Sequence, residues 1–107
     1  MAEGTRVALY SRVSSEEQGQ RETIEAQQDY LRARAGLEGW NVVREYAEEA
    51  TGTLPLSKRP QGKQLLTDAQ ARRFDMLIVH RIDRLGRTLQ TILDAHDALG
   101  KAGVTIK

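Results

Sequence analysis

The chain has no cysteine, and its two histidines, His80 and His96, stand far apart in sequence. A disulfide framework, a thiolate zinc cluster and a thiol nucleophile are therefore excluded, and His-based metal chemistry lacks its ligand spacing; no metal or cofactor is expected. Aromatic residues are scarce. The five present (Tyr10, Tyr30, Trp40, Tyr46 and Phe74) fall mostly at core-like positions, too few for a platform that stacks single-stranded nucleic acid. Long apolar runs are missing too: the opening "MAEGTRVALYS" is too short, and too soon broken by Arg12, for a signal peptide, and nothing approaches membrane-spanning length. A soluble, cytoplasmic protein without a membrane partner is expected. Among phosphate and hydrolase motifs, GxGxxG, GxSxG and HExxH are all lacking. "SKRPQGK" has the Gly-Lys of a P-loop, but Ser57 stands where glycine is required and Gln64 where a hydroxyl would hold magnesium.

What is present is arginine. With 107 residues the chain has room for one domain and one core. Its net charge is only +1, yet the sixteen basic residues divide into twelve Arg and four Lys, a bias suited to bidentate phosphate or carboxylate contacts. Residues 14–50 hold nine acids against four arginines, whereas residues 71–87 hold five arginines against two aspartates. That asymmetry points to a local anion site.

Strand-like and helix-like patterns alternate. Residues 6–13 (RVALYSRV) read as a strand and residues 22–36 as a helix with Ile24, Gln27, Leu31 and Ala35 on one face and Gly36 past its end. Residues 40–47 form a second strand. Residues 48–60 follow as a loop, and Pro60 opens a helix to about Arg73 with Leu65, Leu66 and Ala69 inward. "DMLIVH" (75–80) has the continuous apolarity of a strand buried on both faces. Residues 88–103 form a helix with Leu89, Ile92, Leu93, His96 and Leu99 as its stripe, and "VTIK" begins a fourth strand. This order predicts an α/β fold: a three-layer, mainly parallel sheet in the flavodoxin-like order 2-1-3-4 with flanking helices. Its switch point lies between strands 1 and 3, and a ligand belongs beyond their carboxyl ends.

Two clusters fall at those ends. After strand 3, "HRIDRLGR" spaces Arg81, Arg84 and Arg87 by three with Asp83 among them. A helix starting near Asp83 would put Arg84 and Arg87 on one face and turn backbone N–H groups towards an anion, with Asp83 either its N-cap or a catalytic group. After strand 1 stand Arg12 and Ser14, which share strand parity, while Ser11 and Val13 point the other way. An arginine beside a hydroxyl can bind the phosphate that the hydroxyl attacks. A serine before "EEQ" is equally a helix-capping signal. By itself, then, "RVSSEEQ" leaves Ser14 open between nucleophile and cap.

Four ordered segments settle on a resemblance. "YSRVSSEEQ" resembles the Y-x-R-V-S-x-x-x-Q signature of the serine recombinases, the resolvase/invertase family. "TIEAQQDYL" is similar to the family's S-L-x-x-Q segment, "KRPQGKQLL" to its R-P loop and helix, and "HRIDRLGRTL" to its D-R-L-x-R motif. The long loop "EEATGTLPLSKRP" is more similar to large serine recombinases and related transposon enzymes than to small resolvases. The resemblance implies that Ser14 is the nucleophile, that Arg12, Arg59, Arg84 and Arg87 surround the scissile phosphate, and that Gln18, Gln27 and Asp83 support the site. Ser11 and Ser15 fall at variable positions, as do His80 and Arg81. Glu48 and Glu49 depart from the Asp of many relatives.

The implied function is that of a site-specific DNA recombinase of the integrase, resolvase, invertase or transposase type, acting through a 5′-phosphoserine intermediate without ATP. Double-stranded DNA at a recombination site and self-association to a dimer and a synaptic tetramer are the implied partners of the full-length protein. The short last strand suggests that residues 1–107 are a catalytic-domain fragment, lacking the long dimerisation helix and DNA-binding domains and inactive alone. Bacterial or phage origin is implied. The competing reading is a non-catalytic phosphate- or nucleotide-binding α/β module; a receiver-type regulatory domain would want clustered acids where this chain has Arg12, Arg84 and Arg87.

Overall fold

The computed structural model describes residues 4–14 and 23–107. Among them the elements follow as β1 (Arg6–Val13), α1 (Ile24–Glu38), β2 (Asn41–Glu49), a 3-10 turn at Leu56–Lys58, α2 (Pro60–Gln70), β3 (Met76–Val79), a second 3-10 turn at Ile82–Arg84, α3 (Leu89–Lys101) and β4 (Thr105–Ile106). The strands form one parallel sheet in the order β2-β1-β3-β4, as the alternating pattern predicted.

Strand parity divides the core. Val7 and Leu9 pack with Met76 and Ile78 against Leu31 and Ala35 of α1. On the other face Ala8 and Tyr10 pack with Leu77 and Val79 against Leu65 and Ala69 of α2 and Ala95 and Leu99 of α3. A register irregularity sits between Val7 and Ala8: Val7 pairs with Val42 but Ala8 with Arg44. This one-residue slip exchanges the faces of everything after it in β2. As a result Tyr46 and Glu48 lie beside Tyr10 and Arg12 on the α2 side.

Two boundaries and one helix face differ from the sequence pattern, each for a physical reason. Helix α1 runs through Gly36 and ends at Gly39, whose φ of 73° turns the chain back so that Trp40 N–H donates to Ala35 C=O (2.9 Å); Gly36 has no such conformation. Strand β2 continues through Glu48 and Glu49, which the pattern assigned to the loop, because β1 offers pairing partners as far as Val13. Helix α3 turns a different face inward than expected. Thr91, Ala95 and Leu99 are buried, whereas Leu89 is 72% and Leu93 52% exposed, and His96 is exposed. Its phase is set at the N-terminus: Thr88 and Thr91 form a reciprocal capping box, and Thr91 lies so close to Gly86 that a Cβ there would fall 2.3 Å from its Oγ1. That contact outweighs the size of the leucines.

Candidate active site

Strand β3 stops at Val79, opposite Tyr10, so β1 runs on to Val13 without that neighbour. Arg6 accepts the Asp75 N–H through its C=O, and by alternation Arg12 also turns its peptide groups to this side. The side chain of Gln27 on α1 takes the place of a strand. Its Oε1 accepts from Arg12 N–H (3.2 Å) and its Nε2 donates to Arg12 C=O (3.1 Å), which also accepts from Arg84 Nη1 (3.1 Å). A buried glutamine thus bonds both polar groups of a buried residue's backbone.

The Arg12 side chain leaves the strand on the α2/α3 face and ties three backbone positions together. Its Nε donates to Arg84 C=O (3.0 Å), its Nη2 to Asp83 C=O (2.7 Å) and its Nη1 to Ala50 C=O (2.9 Å). Arg59 does the same from the opposite wall: Nε to Leu54 C=O (3.1 Å), Nη2 to Leu85 C=O (2.6 Å), and Nη1 to Arg84 C=O (3.4 Å) and to the Tyr10 hydroxyl (3.1 Å). Arg12, Arg59 and Arg84 are all at most 1% exposed. Burying a guanidinium is tolerable only when its donors find acceptors, and here the carbonyls of Asp83, Arg84 and Leu85 accept from Arg12 and Arg59.

Negative charge is present but held to the sides. Glu48, also buried, accepts from the Tyr10 hydroxyl (2.6 Å). Burial, the largest influence, raises the Tyr10 phenol well above its ordinary pKa; the hydrogen bond to Glu48 adds to this and the Arg59 charge works against it. The phenol therefore stays protonated and donates. Asp83 is half-buried, its Oδ2 accepting from Arg81 Nη2 (3.1 Å) and its Oδ1 lying 3.7 Å from Arg84 Nε. Ser14 follows β1 directly and is 6% exposed.

Arg12, Arg59, Asp83, Arg84 and Gln27 are thus brought together beyond the ends of β1 and β3, and Ser14 follows β1 directly. Arg87 arrives differently. No α-helix begins at Asp83; a 3-10 turn at Ile82–Arg84 precedes α3, whose cap is Thr88. Arg84 therefore points inward while the Arg87 side chain is exposed, its backbone N–H donating to Gly52 C=O (2.8 Å). Asp83 is accordingly not the cap of α3. Gln18 and Ser15 lie outside the described residues. Two members went unnoticed in the sequence, Tyr10 and Glu48. Tyr10 shares parity with Arg12 and could have been found; Glu48 reaches this face only through the slip near Val7.

Among the described residues no three His, Cys, Asp or Glu side chains come together as a metal site, and no helix is long and apolar enough to cross a membrane. The three buried guanidinium groups of Arg12, Arg59 and Arg84 concentrate positive charge beside the end of β1, an environment that suits an anion.

Comparison with known families matches the description "Resolvase, N terminal domain" over residues 7–107. The chain belongs to the resolvase family. Solved serine recombinases share its fold. The C-terminal catalytic domain of ISC1926 TnpA, an IS607-like serine recombinase, is 28% identical with a TM-score of 0.82, over 95% of this chain and 68% of that one. For the N-terminal catalytic domain of TP901-1 integrase the values are 29%, 0.83, 95% and 75%. The C-terminal catalytic domain of IS1535 TnpA, also IS607-like, gives 30%, 0.70, 94% and 68%. A comparison with curated protein sequences gave no match. This resolvase-family chain is therefore a catalytic domain of a site-specific serine recombinase, an enzyme of DNA recombination, and DNA binding and oligomerisation come with the family. The non-catalytic module is not favoured.

Proposed function

We propose that Ser14 is the nucleophile of this recombinase. Its Oγ attacks a DNA phosphodiester: the Oγ–P bond forms as the P–O3′ bond breaks. The serine gives up its proton and the 3′ oxygen takes one up to leave as a hydroxyl, so that the 5′ phosphate is esterified to Ser14. The 3′-OH of an exchanged strand then reverses the step, releasing Ser14. One phosphodiester is exchanged for another each time, which is why no ATP is consumed. The observation that carries this reading is the placement of Ser14 at the end of a strand whose preceding arginine is locked to the Arg84 segment.

Arg12, Arg59, Arg84 and Arg87 stabilise the charge that gathers on the equatorial phosphate oxygens, in the role metal ions fill elsewhere. Being protonated at any working pH, they serve as donors. Gln27 supports the site by holding the Arg12 peptide, and Gln18 and Asp83 are assigned the same supporting office. The substrate is double-stranded DNA at a recombination site, in the cytoplasm of a bacterial or phage-infected cell. Each Ser14 can hold one strand end, so cutting both strands of two sites takes four copies; this favours a dimer on each site and a synaptic tetramer. Choice of site is assigned to more of the protein than residues 1–107.

The test is a denaturation-resistant 5′-linked protein–DNA adduct in the full-length recombinase with its site. The adduct should form in the wild type and vanish in Ser14→Ala. Recombination by the wild type with no adduct, or by Ser14→Ala at the normal rate, would reject the mechanism.

A further inference from the structure

The buried carboxylate of Glu48 takes no direct part in the proposed reaction. It receives three hydrogen bonds: from the Tyr10 hydroxyl (2.6 Å), the Gln61 N–H (2.9 Å) and the Gly62 N–H (3.2 Å). Helix α2 begins with Pro60, which has no N–H, and its N-cap is Arg59, whose side chain makes no capping bond. Gln61 and Gly62 therefore carry the first free donors of the helix, those a Ser or Asp at the cap would normally take. Glu48, arriving from a neighbouring strand, takes both and sets its charge at the positive end of the helix dipole. The helix start is also wedged from the other side, since a Cβ on Gly62 would lie 2.3 Å from Leu56 O.

The same carboxylate reaches the other end of Arg59. A phenol has one proton to donate, and Tyr10 gives it to Glu48; its oxygen lone pair is thereby turned to Arg59 Nη1 at 3.1 Å. Backbone and guanidinium of Arg59 are thus both referred to one anion, directly through the helix cap and through one hydroxyl.

We infer that Glu48 is a positioning residue for Arg59, fixing its backbone by capping α2 and its guanidinium through Tyr10. This rests on the assignment of Arg59 to the phosphate site made above. Glu48→Gln keeps the volume but removes the charge and turns an NH₂ towards one of the helix donors, leaving that N–H opposed by another donor. A displacement of Arg59 on the order of 1 Å slows the chemistry by about 100-fold.

The experiment measures single-turnover adduct formation and DNA affinity separately, in the full-length recombinase, for Glu48→Gln, Tyr10→Phe, Arg59→Lys and the double variant Glu48→Gln/Arg59→Lys. Glu48→Gln should slow cleavage by about 100-fold with DNA affinity unchanged, and the double variant should be no slower than Arg59→Lys alone, because residues acting through one another are not additive. Tyr10→Phe, which removes one hydroxyl and leaves the cap, should slow cleavage in the same sense and tests the inference even if Glu48→Gln fails to fold. Wild-type cleavage by either folded single variant, or multiplying effects in the double variant, would overturn the positioning role. Wild-type cleavage by Arg59→Lys would instead refute the assignment of Arg59 itself.

Discussion

Gly52 and Gly36 invite the same substitution with opposite results. Gly52 lies where the loop after β2 meets the loop after β3, its C=O accepting from Arg87 N–H at 2.8 Å. A Cβ there would stand 2.8 Å from Arg87 Cβ, 2.9 Å from Arg12 Nη2 and 3.0 Å from Arg87 N. Comfortable contact with carbon begins at about 3.5 Å, so the loops must part by about 0.7 Å. Neither neighbour can yield freely: Arg12 Nη2 is held by Asp83 C=O at 2.7 Å, and Arg87 N by Gly52 itself. Overpacking of this kind costs about 1–3 kcal/mol. Gly36, by contrast, lies inside α1 with nothing within 4 Å of an added Cβ. There, alanine should stabilise by about 0.5–1 kcal/mol, because glycine loses more backbone freedom on entering a helix.

Urea denaturation of the two variants measures both terms, and in a domain of this size each kcal/mol moves the melting temperature by about 4–8 °C. Gly52→Ala should also slow adduct formation, since the strain falls on Arg12 and on the backbone of Arg87. A Gly52→Ala protein as stable and as fast as wild type would refute the close approach of the two loops. A destabilised Gly36→Ala would refute the reading that its position is open.

Replacing Gln27 by alanine removes both side-chain bonds to the buried Arg12 peptide. A loss of about 1–3 kcal/mol is expected together with slower adduct formation, and an unchanged denaturation midpoint would contradict the strand-substituting role. Alkaline pH should destabilise the fold. Burial raises the pKa of Tyr10, as it does that of Tyr46, which donates to Asp68 at 2.6 Å. A phenol with a folded pKa above its unfolded value contributes fully below the ordinary value of 10.0, and that contribution is lost as pH rises past it, at up to about 1.4 kcal/mol per pH unit for Tyr10. Ultraviolet titration should show these phenols ionising only as denaturation midpoints fall; their ionisation near pH 10 in an intact fold would refute the prediction.

Much of the architecture is local and therefore legible from residues alone. Alternation in "RVALYSRV", unbroken apolarity in "MLIV" and Pro60 at a helix start each state a period or a terminus that the backbone obeys, and right-handed crossovers then leave few sheet orders. The placement of Ser14 and Arg12 on one strand end opposite "DRLGR" follows from that order. The phase of α3 does not, because it depends on how closely Thr91 approaches Gly86 in the preceding turn, a contact that no hydrophobic period encodes. Nor does the role of Glu48. Its side chain faces α2 only because β2 slips by one residue against β1, and its partners Tyr10, Gln61 and Gly62 lie on two other elements. Period, terminus and motif were written in the chain; which buried charge answers which was decided by tertiary packing, since a carboxylate and a guanidinium leave water only where the whole fold brings their partners within hydrogen-bonding distance.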